Sequence, residues 1–249
     1  MCEIKRPIGL DSICSIIDDN CKKVNLFKKT GLKPSNLLVQ LDTGCGRSSV
    51  VEYAVDMYKA HDLIDFSSGL DDSIKITFDG SLGQFKKCIT EIETAAVFKN
   101  NFTGIIEVDA MALSRHCGEI QYNDFFSSFK EICNSAFVIF FTPTILSRVE
   151  ESFVDKICSS FDIKRVCSTP YTTSELRDIV EKNISSYGVE ICSSKKVKIM
   201  LLRLISDCGI KTIKEAVDFA DSIIKYADCT DTPTIGEYQL KLFDSYKNK

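Results

Sequence analysis

One segment of the sequence constrains the fold more than any other. An apolar run over residues 37–41 is followed by a turn that contains Gly44 and Gly46, and then by a segment compatible with a helix. A strand, a glycine turn and a helix start bring unpaired backbone amides and the positive end of a helix to the same point. This pattern predicts an anion-binding site, although a glycine-containing turn that binds nothing is an open alternative.

The turn also matches part of a phosphate-binding motif, Gly-x-x-x-x-Gly-Lys-Ser/Thr. In that motif backbone amides surround the phosphates, the lysine approaches the terminal phosphate and the hydroxyl binds magnesium. Gly46 and Ser48 fit the motif, whereas Leu41 stands at the first glycine and Arg47 replaces the lysine. The sequence therefore predicts a phosphate site with an altered cation.

Apolar strands and helical patterns alternate through the first two thirds of the chain. Such alternation predicts right-handed crossovers and an α/β fold with a mostly parallel sheet between two layers of helices. Ligands of these sheets bind at the carboxyl ends of strands, where Asp109 and Thr142 also fall. The predicted strands are 36–41, 74–78, 103–109, 136–141 and 163–167. The first predicted helix lies within 8–29 and starts at a cap at Asp11 or Ser12, and the others are 47–57, 82–98, 125–132 and 148–160.

The pattern changes to helices near Thr169, which predicts a second, smaller helical domain. We expect an α/β domain over residues 1–168, a helical domain over 169–228 and a tail over 229–249 that is helical in part, from Ile235. Within the second domain, helices are predicted from Ser174, over 197–205 and over 212–226.

The composition indicates which partners and which cellular location to expect. A formal net charge of −4 over 249 residues supplies no basic field for nucleic acid, so a nucleic-acid partner is not favoured. No apolar run approaches the roughly 20 residues that a membrane span needs, and no secretory signal is visible, so we expect a cytoplasmic protein without membrane partners. The 12 cysteines show no metal-ligand spacing and are read as structural thiols, except Cys45 in the glycine turn, whose position could make it reactive.

Taken together, residues 8–227 resemble the AAA+ ATPase family, a P-loop NTPase group in which an α/β domain precedes a helical lid. Asp109 resembles the Walker B aspartate and Lys211 stands where the sensor 2 arginine is usual. The segments that carry the resemblance, from the adenine border through Walker A, Walker B and sensor 1 to sensor 2, are Ile8–Leu10, Leu41–Ser48, Ile105–Ala110, Phe137–Thr144 and Gly209–Val217.

The resemblance implies a site for ATP or ADP with Mg²⁺. It assigns Asp109 and Ser48 to the metal, and it leaves Thr142 and Glu107 as weak candidates for catalytic roles. The implied nucleotide-binding residues are Ile8, Gly9, Gly44, Cys45, Gly46, Arg47, Ser48, Ser49 and Lys211.

The catalytic set departs from the family pattern at four positions. Arg47 replaces the Walker A lysine, and Ala110 stands at the position of the Walker B glutamate. The position of the sensor 1 asparagine falls near Pro143 or Thr144, and Thr142 is the nearest strand residue able to form a hydrogen bond. No clear arginine finger follows, although Lys164 and Arg165 fall in its region. Phosphoryl transfer depends on positioning and on charge stabilisation, so these changes argue against efficient hydrolysis.

The preferred hypothesis is a degenerate AAA+ module, a nucleotide-binding or pseudo-ATPase subunit that assembles with copies of itself or with an AAA+ partner. One alternative is a slow but genuine ATPase that remodels or loads another protein. A second alternative is an adaptor for DNA-processing machinery, which the acidic composition disfavours.

Overall fold

The computed structural model describes most of the chain in two compact units. The first unit comprises Met1–Thr43 and Arg47–Ser168, and the second comprises Gly44–Gly46 and Thr169–Lys249. The described residues are 4–23, 35–61, 73–76, 105–111, 127, 130, 137–161, 163–228 and 233–247. Among the helices in these ranges, none is both long enough and apolar enough to span a membrane.

A five-stranded parallel sheet forms the centre of the first unit, and it confirms the predicted α/β fold with a mostly parallel sheet. In space the strands follow the order β2-β3-β4-β1-β5. The strands are β1 (Leu37–Gln40), β2 (Ser73–Ile76), β3 (Ile105–Asp109), β4 (Phe137–Thr142) and β5 (Lys164–Cys167).

The two central strands are buried along their whole length. Every residue of β1 and of β4 is buried, as expected for strands covered on both faces of a parallel sheet. Their register pairs Gln40 with Thr142, and that of β3 with β4 pairs Asp109 with Phe141. The carboxyl ends of β1, β3 and β4 therefore lie side by side.

Three helices of the first unit are described: α1 (Asp11–Lys22), α2 (Arg47–Ala60) and α3 (Arg148–Phe161). Polar pairs fix α1 against α2. The Tyr53 hydroxyl donates to Asp18 Oδ1 over 2.6 Å, and the Asn20 amide donates to the Tyr58 hydroxyl over 3.2 Å. Burial, together with the bond to Asp18, raises the pKa of Tyr53 to about 12, so this phenol stays a donor at neutral pH.

The second unit contains α4 (Thr173–Ser186), α5 (Lys195–Asp207), α6 (Ile213–Ile224) and α7 (Glu237–Lys247). Capping boxes start α4 and α6: Thr172 pairs with Glu175, and Thr212 pairs with Glu215. These caps satisfy amides that the first helical turn leaves without intrahelical partners.

A short parallel strand pair in the second unit was not predicted. Glu190–Ile191 (β6) pairs with Thr234–Ile235 (β7), in a part of the chain where only helices were expected. Two residues give no alternation of polar and apolar side chains, so no strand pattern could be read there. The tail helix begins at Glu237, after β7, instead of at Ile235.

Some of the predicted elements lie outside the described residues. The predicted helix over 82–98 is one of them, as are the last residues of the predicted helix 8–29. Of the predicted helix over 125–132, only residues 127 and 130 are described, and both are helical. The strand predicted over 74–78 begins one residue earlier, at Ser73, and is described as far as Ile76.

Candidate nucleotide site

The turn after β1 has the strand–turn–helix form that the sequence predicted. The Leu41 amide donates to the Thr142 carbonyl over 2.7 Å, which extends the pairing of β1 with β4 into the turn, and α2 begins at Arg47. Gly44 has φ +83° and Gly46 has φ +96°. Residues with a side chain rarely adopt these left-handed values, so the backbone path requires glycine at both positions.

Arg47, at the position of the motif's lysine, is engaged by groups of the first unit itself. Its Nη1 lies 2.9 Å from Asp109 Oδ2, and its Nε donates to the Leu41 carbonyl over 3.0 Å. The guanidinium carbon lies 5.6 Å from the centre of the Phe141 ring, within the range of a cation–π contact. The Arg47 side chain is only 16% exposed, so the cation points into the protein.

Asp109, at the predicted metal position, has both carboxylate oxygens in hydrogen bonds. Oδ2 accepts from Arg47, and Oδ1 accepts from the Met111 amide over 3.0 Å. Its side chain is 42% exposed, whereas the next residue, Ala110, is completely buried and has no group that could act as a base. Mg²⁺ binds through carboxylates and retained waters. The Arg47 cation, 2.9 Å from Asp109 Oδ2, already neutralises the carboxylate and so opposes Mg²⁺ binding at Asp109.

A second carboxylate lies inside the turn. Asp42 Oδ1 accepts from the Thr144 amide over 2.8 Å, and Asp42 Oδ2 accepts from the Thr144 hydroxyl over 2.7 Å. No role for Asp42 was predicted from the sequence. Asp42 lies two residues beyond β1, and Thr144 lies two residues beyond the neighbouring strand β4. This matching position is the signal that would have paired them. The Asp42 residue is exposed, and both of its carboxylate oxygens are held by Thr144.

The two weak catalytic candidates lie on neighbouring strands. Thr142 ends β4 and is completely buried, and its hydroxyl has no hydrogen-bond partner among the described residues. Glu107 lies on β3, half-buried, in register with Ile139. Ser48 is exposed on the first turn of α2, and Ser49 beside it is half-buried.

The remaining predicted ligands are distributed over both units. In the first unit, Ile8 and Gly9 are half-buried, separated from the start of α1 by Leu10. In the second unit, the Gly44 carbonyl accepts from the Lys214 amide over 3.0 Å, and the Cys45 carbonyl accepts from the Tyr171 hydroxyl over 3.0 Å.

Lys211, at the sensor 2 position, is exposed in the second unit. Its backbone amide donates to the Glu215 carboxylate over 2.8 Å, and the Thr212 amide donates to the same oxygen over 3.0 Å. These two amides, that of Lys211 foremost, lower the pKa of Glu215. The start of α6 therefore carries an ionised carboxylate beside Lys211 at neutral pH.

The arginine considered for a finger role is also bound within its own unit. Arg165 donates from Nε to the Gln40 side chain over 2.8 Å, and from Nη1 and Nη2 to Glu151 over 2.6 and 3.2 Å. The hydrogen bond from Arg165 lowers the pKa of Glu151. Lys164 is exposed.

Comparisons with known proteins find similarity in structure. No protein-family model and no curated protein matches the sequence. Among solved structures, the chain is similar to the Thermotoga maritima RuvB Holliday junction branch migration motor, with a TM-score of 0.59 and 12% identity over 96% of this chain and 70% of that one. A variant of the same RuvB matches over 97% of this chain and 71% of that one, with a TM-score of 0.59 and 12% identity.

A third match is Orc1 from Aeropyrum pernix in complex with DNA. Its TM-score is 0.56, with 15% identity over 96% of this chain and 65% of that one. Identities this low establish the fold and nothing about activity. The parallel sheet, the glycine turn after β1 and these structural matches lead to one conclusion: the chain has the AAA+ fold found in RuvB and Orc1.

Proposed function

We propose that this chain is a degenerate AAA+ module, a pseudo-ATPase that acts through assembly with copies of itself or with an AAA+ partner subunit. The observation that supports the proposal is the ion pair between Arg47 and Asp109, 2.9 Å apart. In a working site of this type the cation neutralises phosphate and the acid organises magnesium. Here the two charges neutralise each other.

The ion pair opposes nucleotide binding in proportion to its strength. A pair worth about 1 kcal/mol that must open before nucleotide binds weakens the affinity by about fivefold. The carboxylate of Asp42 adds repulsion within the same turn, where Thr144 holds it by two hydrogen bonds. Ala110 removes the group that would activate water, so any bound ATP would be cleaved slowly.

Removing the Asp109 carboxylate distinguishes a pseudo-ATPase from a slow ATPase, because the two hypotheses predict opposite effects. In the pseudo-ATPase, Asp109→Ala frees Arg47 for phosphate, and the affinity for ATP without magnesium rises by about fivefold or more. In a working ATPase, the same substitution removes a metal ligand and abolishes turnover. Calorimetric titration with ATP and steady-state phosphate release measure the two effects.

Asp56→Ala serves as the matched control, because Asp56 is exposed on α2 and its loss changes the net charge by the same amount. We expect its ATP affinity to equal that of the wild type. Phosphate release that depends on Asp109 and is lost in Asp109→Ala would refute the pseudo-ATPase assignment.

Assembly is tested separately by the mass of the purified protein in solution. A module that assembles without using nucleotide should have the same mass with and without ATP, either alone or mixed with an AAA+ partner. Hexamers that form only with ATP would favour the slow ATPase, a hypothesis supported by the left-handed Gly44 and Gly46 and by the exposed Ser48.

A DNA-linked role is the remaining candidate. Its support is that the similar structures include a Holliday junction branch migration motor and an Orc1 protein in complex with DNA. The net charge of −4 opposes it. Anisotropy titrations of duplex and four-way junction DNA at about 50 and 200 mM salt test this role, because binding through phosphates weakens steeply over that range. The pseudo-ATPase proposal expects no such binding.

A further inference from the structure

The second unit contains a cavity of about 490 Å³ beside α6 and α7. Aromatic rings form much of its wall. The Phe243 ring meets the Phe219 ring edge-on, with centres 5.4 Å apart, and meets the Tyr226 ring edge-on at 5.7 Å. The centre of the Tyr246 ring lies 6.1 Å from that of the Tyr226 ring. Tyr246 is 60% exposed, whereas Phe219 and Phe243 are buried. The rings therefore extend from the buried part of the cavity to solvent.

The charges on the cavity wall are negative. Glu215 and Asp218 line it from successive turns of α6, and the residues that line it include neither lysine nor arginine. Glu215 remains ionised at neutral pH, because the Lys211 and Thr212 amides lower the pKa of its carboxyl. Lys211 lies beside Glu215 but is not among the residues that line the cavity. The carboxylates of the wall repel phosphate and other anions, so the cavity does not suit a nucleotide.

We propose that this cavity binds an organic cation, an alkylguanidinium or alkylammonium group carried by a partner polypeptide. Aromatic faces attract such cations through the ring quadrupole, and the attraction grows as the cation leaves water. Asp218 supplies the opposite charge at the exposed side of α6, while the buried rings accept the aliphatic stem of the side chain. The cavity volume lies in the range of sites that hold a small ligand.

The first experiment measures binding of a minimal probe to the whole chain. Acetyl-arginine-methylamide, at millimolar concentration, is titrated against protein with labelled tyrosine rings, and the ring signals of Tyr226 and Tyr246 are followed by NMR. We expect saturable shifts of both signals. Acetyl-citrulline-methylamide has nearly the same shape without the charge and should bind at least about fivefold more weakly.

A titration with spermidine distinguishes the source of the cation. Tighter binding of the arginine probe supports a polypeptide side chain, and tighter binding of spermidine would overturn the choice of a polypeptide in favour of a free polyamine.

Variants test the two halves of the wall. Asp218→Asn should weaken the arginine probe about two- to fivefold, as expected for one exposed ion pair. Tyr246→Leu keeps an apolar cover and removes the aromatic face, and it should also weaken binding. Asp56→Asn, an exposed charge change on α2 of the first unit, should leave the affinity unchanged.

Three further results would overturn the proposal. One is equal binding of the citrulline and arginine probes. Another is an affinity of Asp218→Asn that matches that of Asp56→Asn, and the third is the lack of a saturable shift at Tyr226 and Tyr246. Because Asp218 and Tyr246 are exposed, their substitution leaves the buried Phe219 and Phe243 rings in place, so a folded protein is available for each measurement.

Discussion

The ion pair between Arg47 and Asp109 should be measurable as a coupling free energy within the first unit. The perturbation is a double-mutant cycle made of Arg47→Met, Asp109→Asn and the double variant. Both substitutions keep the approximate size of the side chain and remove its charge, so packing changes little. The coupling isolates the pairwise interaction from the other contacts of each residue.

The magnitude follows from the observed contacts. Asp109→Asn removes one charge-assisted bond of 2.9 Å between side chains that are 16% and 42% exposed. Exposed pairs contribute about 0.2–1 kcal/mol and hydrogen bonds to charged groups about 1.5–3 kcal/mol, so a coupling of about 1 kcal/mol is expected. Arg47→Met also loses the bond to Leu41 and the contact with Phe141, and should cost about 2–3 kcal/mol in total.

Hydrogen exchange at amides of β1 and β3 is the suitable assay, because these strands belong to the first unit and report its stability alone. In the Arg47→Met background, the effect of Asp109→Asn on stability should be smaller by about 1 kcal/mol, since the carboxylate has already lost its cation and keeps contacts such as that with the Met111 amide. A coupling below about 0.3 kcal/mol would show that the ion pair contributes nothing in solution. The proposal that Arg47 and Asp109 neutralise each other at the expense of nucleotide binding would then be refuted.

Three further predictions concern other parts of the two units. Gly44→Ala should destabilise the second unit by more than Gly209→Ala does, as measured by hydrogen exchange. Both glycines have a left-handed φ, which costs alanine about 1–2 kcal/mol. Of the two, only Gly44 would place an added Cβ 3.2 Å from another side chain, that of Lys214. The pKa of Glu215 is lowered in the folded state, so its ionised carboxylate stabilises the protein above its ordinary pKa. That stabilisation is lost as the pH falls through the lowered pKa. In thermal melts below about pH 4.5, Glu215→Gln should therefore lose less stability on acidification than the wild type does. Arg165→Met should lower the melting temperature by a few degrees at every protein concentration, because Arg165 pairs with Glu151 of its own chain. An unchanged melting temperature in dilute protein would contradict this prediction.

The fold was predictable because its signals are local. The glycine turn, the apolar run Phe137–Phe141 and the alternation of strands with helices are each visible in consecutive residues, and a mostly parallel sheet follows from them. The strand pair β6–β7 was missed because two-residue strands carry no periodic signal. Their pairing depends on the helices between them, which is tertiary information.

The contacts that decide the chemistry of the site are not local. Arg47 and Asp109 are 62 residues apart, and Asp42 and Thr144 are 102 residues apart. Sequence reasoning placed Arg47, Asp109 and the turn at the same edge of the sheet, because carboxyl ends of parallel strands meet there. It could not indicate that Arg47 would pair with Asp109, since the choice of partner depends on strand order, register and rotamer.

The replacement of the motif's lysine by Arg47 is consistent with the proposal that this cation binds groups of the protein instead of phosphate. An arginine has a rigid fork with several donors, and Arg47 uses two of them at once, one on the Leu41 carbonyl and one on Asp109. Its flat guanidinium also lies within 5.6 Å of the Phe141 ring centre. A lysine ammonium is a compact, strongly hydrated charge that suits a phosphate better than this set of internal partners. The replacement of lysine by arginine is therefore the change expected where the cation has to bind the protein itself, with the neighbouring carboxylate taking the place of phosphate.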